Sequence, residues 1–249
     1  MDILSHEEEL RYNRQIILRQ FDYEGQEALK SARVLILGAG GLGCASSQYL
    51  VAAGVGEVTL IDFDTVELSN LQRQVLHNDT RIGMKKVDSA KATLQSLNPH
   101  AVVNTVDRRL DDDDLDTLVS THSLVMDCSD NVDTRNQLNR LCLQHKVPLV
   151  SGAAIRFEGQ VSVFTWEDGE PCYGCLSQLF GAQALSCVEA GIMSPVVGII
   201  GATQALEAIK VISGMGNSLK GKVMIFDGLE SRWMTMQLPK LPGCNECAG

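Results

Sequence analysis

Residues 33–74 read RVLILGAGGLGCASSQYLVAAGVGEVTLIDFDTVELSNLQRQ, and this stretch decides the fold. An apolar run, Val34 to Leu37, breaks into GAGGLG, with glycines at Gly38, Gly40, Gly41 and Gly43. A helix-length segment follows, then a second apolar run, Val58 to Ile61, that ends on Asp62. Strand, glycine turn, helix, strand and acidic residue is the layout of a βαβ unit that binds phosphate and ribose. Glycine permits a tight turn and close approach of backbone N–H groups to a phosphate, and the next helix N-terminus favours its negative charge. Asp62 stands where a carboxylate can hydrogen-bond a ribose hydroxyl. A nucleotide site is predicted, and the nucleotide itself is left open.

Upstream, Ser5 with Glu8 three residues on forms a capping-box pattern, so a helix is expected to start there. It places Arg11 and Arg14 on one face, which the pattern alone reads as a solvated basic pair. A short helix near 26–30 leads into the first strand. Downstream the sequence predicts a helix over 85–97, a strand over 101–106 and a helix opened by the acids Asp111 to Asp114. Acids at that position suit a helix N-terminus and not a metal site. A buried strand, Leu124 to Met126, ends in Asp127-Cys128-Ser129-Asp130-Asn131, followed by a helix over 133–145 and a strand over 148–150. Strands alternating with helices imply a parallel, doubly wound sheet. The strand at 160–166 follows too closely for a helical crossover and is expected to run antiparallel. A loop carrying Cys172 and Cys175, an irregular stretch, a helix from Pro195 to Ile212 and a hairpin (223–226 and 233–238) complete the chain. The expected fold is a single α/β domain over 1–249 with a Rossmann-like mixed sheet. N-terminal helices occupy 1–30, a nucleotide-binding βα half 31–152, and an antiparallel half 153–249.

The chain has 249 residues, enough for a large core, with 45% hydrophobic and 21% charged content. Its net charge of −10 argues against general nucleic-acid binding and leaves any anionic substrate to a few local cations. The N-terminus is charged and lacks the apolar core of a secretory signal. The longest apolar stretch, Pro195 to Leu206, is interrupted by Gly, Thr and Gln and reads as too short to span a bilayer. No membrane role is expected. Eight cysteines in such a chain point to a reducing compartment, the cytoplasm.

Two CxxC knuckles, Cys172-Tyr173-Gly174-Cys175 and Cys244-Asn245-Glu246-Cys247, offer four thiolates, the donor set of tetrahedral zinc. Four cysteines leave no position for water, so the zinc is expected to be structural, stapling the C-terminal tail to the loop before the long helix. The nucleotide site has its own inventory. Asn70, Gln72 and Arg73 follow Asp62, then Lys85 and Lys86, then Asp130 beyond the fourth strand. Ligands of open α/β sheets bind at the carboxyl ends of strands, so Gly40, Asp62 and Asp130 should share one crevice. His77, His100, His122 and His145 show no partner pattern, which disfavours hydride transfer with its acid/base group. Cations and a carboxylate suit triphosphate chemistry, with Arg and Lys on the phosphates and Asp on Mg²⁺.

GAGGLG, Asp62-Phe63-Asp64, SNLQRQ, Lys86, the DCSDN run around Asp130, the two CxxC knuckles and RYNRQ in the first helix together resemble the ThiF/MoeB/HesA family. These proteins are bacterial relatives of ubiquitin-activating enzymes, and the likeness runs from about Arg11 to Cys247. It implies ATP-dependent adenylation of the C-terminal Gly-Gly carboxylate of a small ubiquitin-like sulfur carrier, with release of pyrophosphate. It further implies that Gly41, Asp62, Asn70, Arg73, Lys86, Asp130 and Asn131 contact ATP. Gly38, Gly40, Gly43, Ser69, Leu71 and Gln72 complete that set. Asp130 would act through Mg²⁺, and Arg14 would reach the phosphates bound by the partner subunit of a homodimer. The 153–249 half would bind the carrier. A MoaD-like carrier of molybdenum cofactor synthesis is preferred to a ThiS-like one of thiamine synthesis. Sulfur is expected from a separate donor protein, since no rhodanese-type segment follows Cys247.

Such a reaction needs no general base, because a carboxylate with a reference pKa of about 3.5 is already ionised. Catalysis should rest on positioning and on charge supplied by Arg14, Arg73, Lys86 and Mg²⁺. Cys187 lies where ubiquitin-activating relatives carry a thioester-forming cysteine, yet its neighbours include no His or Lys to activate it, so a packed or accessory thiol is the expectation. Cys44, Cys128 and Cys142 read as core. The rival readings are an NAD-dependent oxidoreductase on the same fingerprint, a non-catalytic scaffold and a dehydratase acting on modified tRNA. SNLQRQ with Lys86 argues against the first, the retained Arg73, Lys86 and Asp130 against the second, and the acidic charge against the third.

Overall fold

Strand β1 (Arg33–Leu37) is apolar on both faces and buried from Val34 on, which fits only the middle of a sheet covered on both sides. It lies between β2 (Glu57–Ile61) and β4 (Leu124–Asp127), parallel to each. The computed structural model describes residues 3–180 and 190–247, and its eight-stranded sheet has the order β3-β2-β1-β4-β5-β6-β7-β8. β3 (Val102–Val106) and β5 (Leu149–Ile155) extend the parallel part. β6 (Glu158–Phe164), β7 (Lys222–Asp227) and β8 (Arg232–Gln237) add antiparallel strands. The expected mixed sheet is present, with both halves of the chain in it. β5 and β6 differ from the expected spans because Ile155 pairs with Glu158 across a turn of Arg156 and Phe157, with Arg156 left-handed at φ 54°. A turn that tight lets both strands run to its edge.

The helices are α1 (His6–Ile16), α2 (Asp22–Ser31), α3 (Gly41–Ala53), α4 (Lys86–Leu97), α5 (Asp112–Ser120), α6 (Val132–His145), α7 (Tyr173–Phe180) and α8 (Ser194–Ser213). The capping box holds at α1, where the Ser5 backbone N–H donates to Glu8 Oε2 at 3.0 Å. Asp111 caps α5 by accepting from the Asp114 N–H at 2.9 Å, so the acidic run is a helix start. Alternation along β1 divides the core: Val34 and Ile36 join the side lined by α3, α4 and α8, while Leu35 and Leu37 join the side lined by α5, α6 and α7.

α8 corrects one expectation. At 20 residues it has the length and apolarity of a membrane span. It is nevertheless packed inside: a Cβ on Gly201 would stand 2.6 Å from Leu42 O of α3. Buried Gln204 donates to Asp127 O at 2.8 Å, and buried Glu207 accepts from the Leu219 N–H at 2.7 Å. A bilayer would leave those groups unpaired, whereas the core satisfies them.

α1 is tied to the far ends of α3 and α4. Asn98 donates to Tyr12 Oη at 2.7 Å and to Val51 O at 2.8 Å, Gln15 donates to Ala53 O at 2.9 Å, and Arg11 reaches Leu97 O at 3.3 Å. The glycine turn is at the other end of α3, about 20 Å away at 1.5 Å per residue.

Candidate active site and cysteine cluster

The glycine turn is built where β1, β4 and α3 converge. Gly38 has φ 100°, and a Cβ there would stand 2.6 Å from Cys128 O; one on Gly43 would stand 1.8 Å from Gly38 O. Those two contacts admit only glycine. Gly41 packs on Val197 of α8, and Gly40, the N-cap of α3, faces open space with Gln74 Nε2 its nearest neighbour. Asp62 Oδ2 accepts from the Ala39 N–H at 2.8 Å and Oδ1 from the Asp64 N–H at 2.9 Å. The carboxylate thus shapes the turn and keeps lone pairs for a ribose hydroxyl.

The cations stand on either side. Lys86, the first residue of α4, is buried with Nζ 2.8 Å from Asp64 Oδ2. Arg73 Nη1 donates to Ser69 O at 3.1 Å, which curls the 68–74 segment around its own carbonyls. Ser194 Oγ at the head of α8 donates to Gln72 O, joining that segment to the antiparallel half. Gln74 is buried, and its Oε1 has no partner among the described residues.

Asp130 lies three residues past β4, exposed and without a hydrogen bond or ion pair among the described residues. Its loop is held by buried Asp127, whose Oδ1 accepts from Ser129 Oγ at 2.7 Å and whose Oδ2 accepts from Ser151 Oγ at 2.7 Å. Arg135 Nη2 donates to Ser129 O at 3.0 Å from the other side. Asn131, expected on the nucleotide, spends its side-chain oxygen capping α6 through the Thr134 N–H at 2.9 Å. Its amide nitrogen and the second lone pair of that oxygen remain for a ligand.

The structure therefore gathers the glycine turn, Asp62, the 69–73 segment, Lys86 and Asp130 at the carboxyl ends of β1, β2 and β4. Arg14 is not among them: it is exposed on α1, whose anchors are at the opposite end of α3. Asp64, Gln74, Asp127 and Arg135 join the crevice without having been singled out as site residues, because their roles depend on partners far along the chain. The histidines also differ from expectation. His77 Nδ1 is 2.9 Å from Ser89 Oγ, His122 Nε2 is 2.9 Å from Thr59 Oγ1, and His145 Nε2 is 2.7 Å from Asp116 Oδ1. Each partner comes from another element, so spacing could not reveal it. Cys187 lies outside the described residues.

Cys172, Cys175, Cys244 and Cys247 are buried, with all four Sγ atoms within 4.8 Å of one another. Cys172 and Cys244 stand 3.6 Å apart, and Cys175 and Cys247 3.5 Å. Four Zn–S bonds of about 2.3 Å in a tetrahedron place sulfurs about 3.8 Å apart, so the cluster could hold a zinc ion. Cys175 sits in the first turn of α7 and not in a loop. Burial raises the Cys172 thiol to about 11. At Cys244 burial is outweighed by backbone hydrogen bonds from Glu246 and Cys247, and that thiol falls to about 7. The Leu241 N–H points at Cys175 Sγ from 3.4 Å, as knuckle amides do toward a ligated thiolate.

Residues 12–246 match the model of the ThiF family. The chain belongs to the ThiF family. Within it, the chain is 59% identical to the molybdopterin-synthase adenylyltransferase of Escherichia coli and 58% to that of Haemophilus influenzae. The first alignment covers 98% of both chains, the second 95% of this one and 97% of the other. The adenylyltransferase and sulfurtransferase MOCS3 of Drosophila persimilis is 43% identical over 98% of this chain and 55% of its own length. Among solved ThiF-like structures, PaaA superposes with a TM-score of 0.82 at 27% identity, covering 97% of this chain and 76% of PaaA. E. coli MccB, crystallised with AMPCPP and MccA, gives 0.82 at 25% identity over 95% and 74%. ATP use is implied by membership of an adenylyltransferase family.

Proposed function

We propose that the protein uses ATP to adenylate the C-terminal Gly-Gly carboxylate of a MoaD-like sulfur carrier in molybdenum cofactor synthesis. The near-full-length identity with named molybdopterin-synthase adenylyltransferases carries this reading. The crevice supplies a chemical account. A carboxylate oxygen of the carrier attacks the α-phosphorus, an O–P bond forms, the bond to the bridging oxygen breaks, and pyrophosphate leaves. The nucleophile is already an anion, so the residues need only bring two anions together and absorb the charge that departs. Asp62 would hold the ribose, the glycine turn and the head of α3 the phosphates, and Arg73 and Lys86 the β- and γ-oxygens. Asp130, exposed and without a hydrogen bond or ion pair among the described residues, would hold a magnesium ion, which supplies further charge to the triphosphate.

The site is read as complete only in a homodimer. Arg14 lies far from the crevice of its own chain, and Leu10 on α1 with Ile17 and Leu18 just past its end are 65%, 60% and 52% exposed. An apolar stripe around an arginine with no ion pair among the described residues suits a second copy, to whose phosphates Arg14 would reach. The 153–249 half is read as the carrier-binding half, its zinc structural. Four thiolate ligands suit the cytoplasm. A separate protein is the proposed sulfur donor.

ATP–pyrophosphate exchange tests the reading, measured with MoaD-like and ThiS-like carriers, each intact and lacking Gly-Gly. Exchange should require the intact MoaD-like tail. Exchange supported only by the ThiS-like carrier would move the protein to thiamine synthesis, and exchange indifferent to truncation would defeat the proposal.

A further inference from the structure

Beneath the glycine turn lies a buried histidine for which adenylation has no acid/base use. His77 closes the segment that begins at Ser69 and is 6% exposed. Its Nε2 is 3.1 Å from Ala39 O, and its Nδ1 is 2.9 Å from Ser89 Oγ. A carbonyl only accepts, so the network assigns the proton of the neutral ring to Nε2, and Nδ1 accepts from the Ser89 hydroxyl. Burial draws the His77 pKa below its usual value and keeps the ring neutral. Cys44 Sγ lies 3.4 Å from the same Ala39 O, and burial pushes that thiol up to about 12, so its S–H stays on to donate. Arg81 closes the back of the cluster, donating to Ser89 O at 2.6 Å.

Ala39 is gripped from its other side too, by Asp62 on its N–H. The Ala39–Gly40 peptide is trans, so a carbonyl held inward points the Gly40 N–H the opposite way, into the crevice. That N–H has no partner among the described residues, and a Cβ on Gly40 would meet only Gln74 Nε2, at 3.6 Å. Glycine at position 40 makes rotation of this peptide easy, so something must fix it.

We propose that His77 is a positioning residue: its Nε2–H, together with the Cys44 S–H, fixes the Ala39 carbonyl and thereby aims the Gly40 N–H at a phosphate of the bound nucleotide. The proposal rests on the ATP reading above. It makes a selective demand, because only the phosphates feel the Gly40 N–H, whereas a packing role would affect the nucleoside equally.

The test is equilibrium binding of ATP and of adenosine to the zinc-loaded wild type and to His77→Phe, His77→Gln and Ser89→Ala. Phenylalanine keeps the bulk and removes the donor, while glutamine keeps a donor. His77→Phe should lose about tenfold in ATP affinity with adenosine unchanged within about twofold, and His77→Gln should recover most of the loss. Ser89→Ala, which frees the ring to take the other tautomer, should lose about threefold with the same selectivity, and it carries the test if His77→Phe does not fold. Equal losses for ATP and adenosine, unchanged ATP affinity, or a glutamine variant no better than phenylalanine would overturn the proposal. A wild type that binds ATP selectively but exchanges no pyrophosphate would sink the adenylation reading and leave this one standing.

Discussion

The crevice at the strand ends and the cysteine cluster both gather ionisable side chains, yet they differ in what remains unsatisfied. In the cluster four thiols face one another in a buried box, and the Leu241 N–H is already turned toward one of them. A single cation would satisfy all four and leave no vacant ligand. In the crevice Asp130 is exposed, and among the described residues it has no hydrogen bond or ion pair, the Gly40 N–H has no partner, and buried Gln74 Oε1 has none. Asp127, three residues before Asp130, shows that the contrast is not one of residue type: it is 1% exposed and hydrogen-bonded on both oxygens. Spare valence, not the presence of an acid or a thiol, separates a working surface from a structural staple.

That contrast can be broken in several ways. Asp130 apart, the largest effect is expected at Arg14. If Arg14 completes the partner subunit's site as proposed, Arg14→Ala should cut pyrophosphate exchange by at least about a hundredfold through loss of that phosphate contact. Mixing it with Asp130→Ala should restore about a quarter of wild-type exchange, since half the dimers would then carry one intact site. No recovery on mixing would mean that each chain completes its own site. Next in size is the cluster. Cys172→Ser should lose zinc and lower the thermal midpoint by about 10 °C. ATP affinity of the protein still folded should change by less than about twofold, because the staple holds no substrate. A large loss of ATP affinity at full fold would erase the distinction between the two regions.

Smaller effects sharpen the crevice itself. Asp64 holds Lys86 in place, so Asp64→Asn should raise the KM for ATP by about fivefold with a smaller change in kcat. An unchanged KM would mean that Lys86 is positioned by the fold alone. The smallest effect is on pH dependence. Burial lowers the pKa of His77 and of His122, so the folded state binds protons later than the unfolded chain as pH falls. The stability they confer is full above the unfolded value of about 6.5 and declines below it. Burial tends to raise Glu8, but hydrogen bonds from Lys30 and Ser5 outweigh it and bring the pKa down, so its contribution is lost below about 4.5. Urea midpoints should therefore fall continuously from pH 7 to pH 4, and a rise in that range would contradict the assignment.

Much of the contrast was legible in the chain itself, for a physical reason. The glycine turn, the β1 and β2 runs and the CxxC knuckles are local patterns whose chemistry depends on neighbours a few residues away. The parallel-to-antiparallel change was readable from the short distance between β5 and β6. What was not legible depends on long-range partners. His77 serves Ala39 and Ser89, from the glycine turn and α4, whereas Asn131 caps α6 through Thr134 three residues on, a local pattern open to sequence reading. α8 is long and apolar enough to pass for a membrane span, yet its buried Gln204 and Glu207 find partners on β4 and before β7 that no hydropathy count contains.

The most direct test is made at Asp130. Asp130→Ala should be assayed for ATP–pyrophosphate exchange with the intact carrier, and for zinc content and unfolding midpoint in the same preparation. The account predicts that exchange vanishes while zinc and midpoint match the wild type. Normal exchange by that variant, or loss of zinc and fold together with exchange, would contradict it.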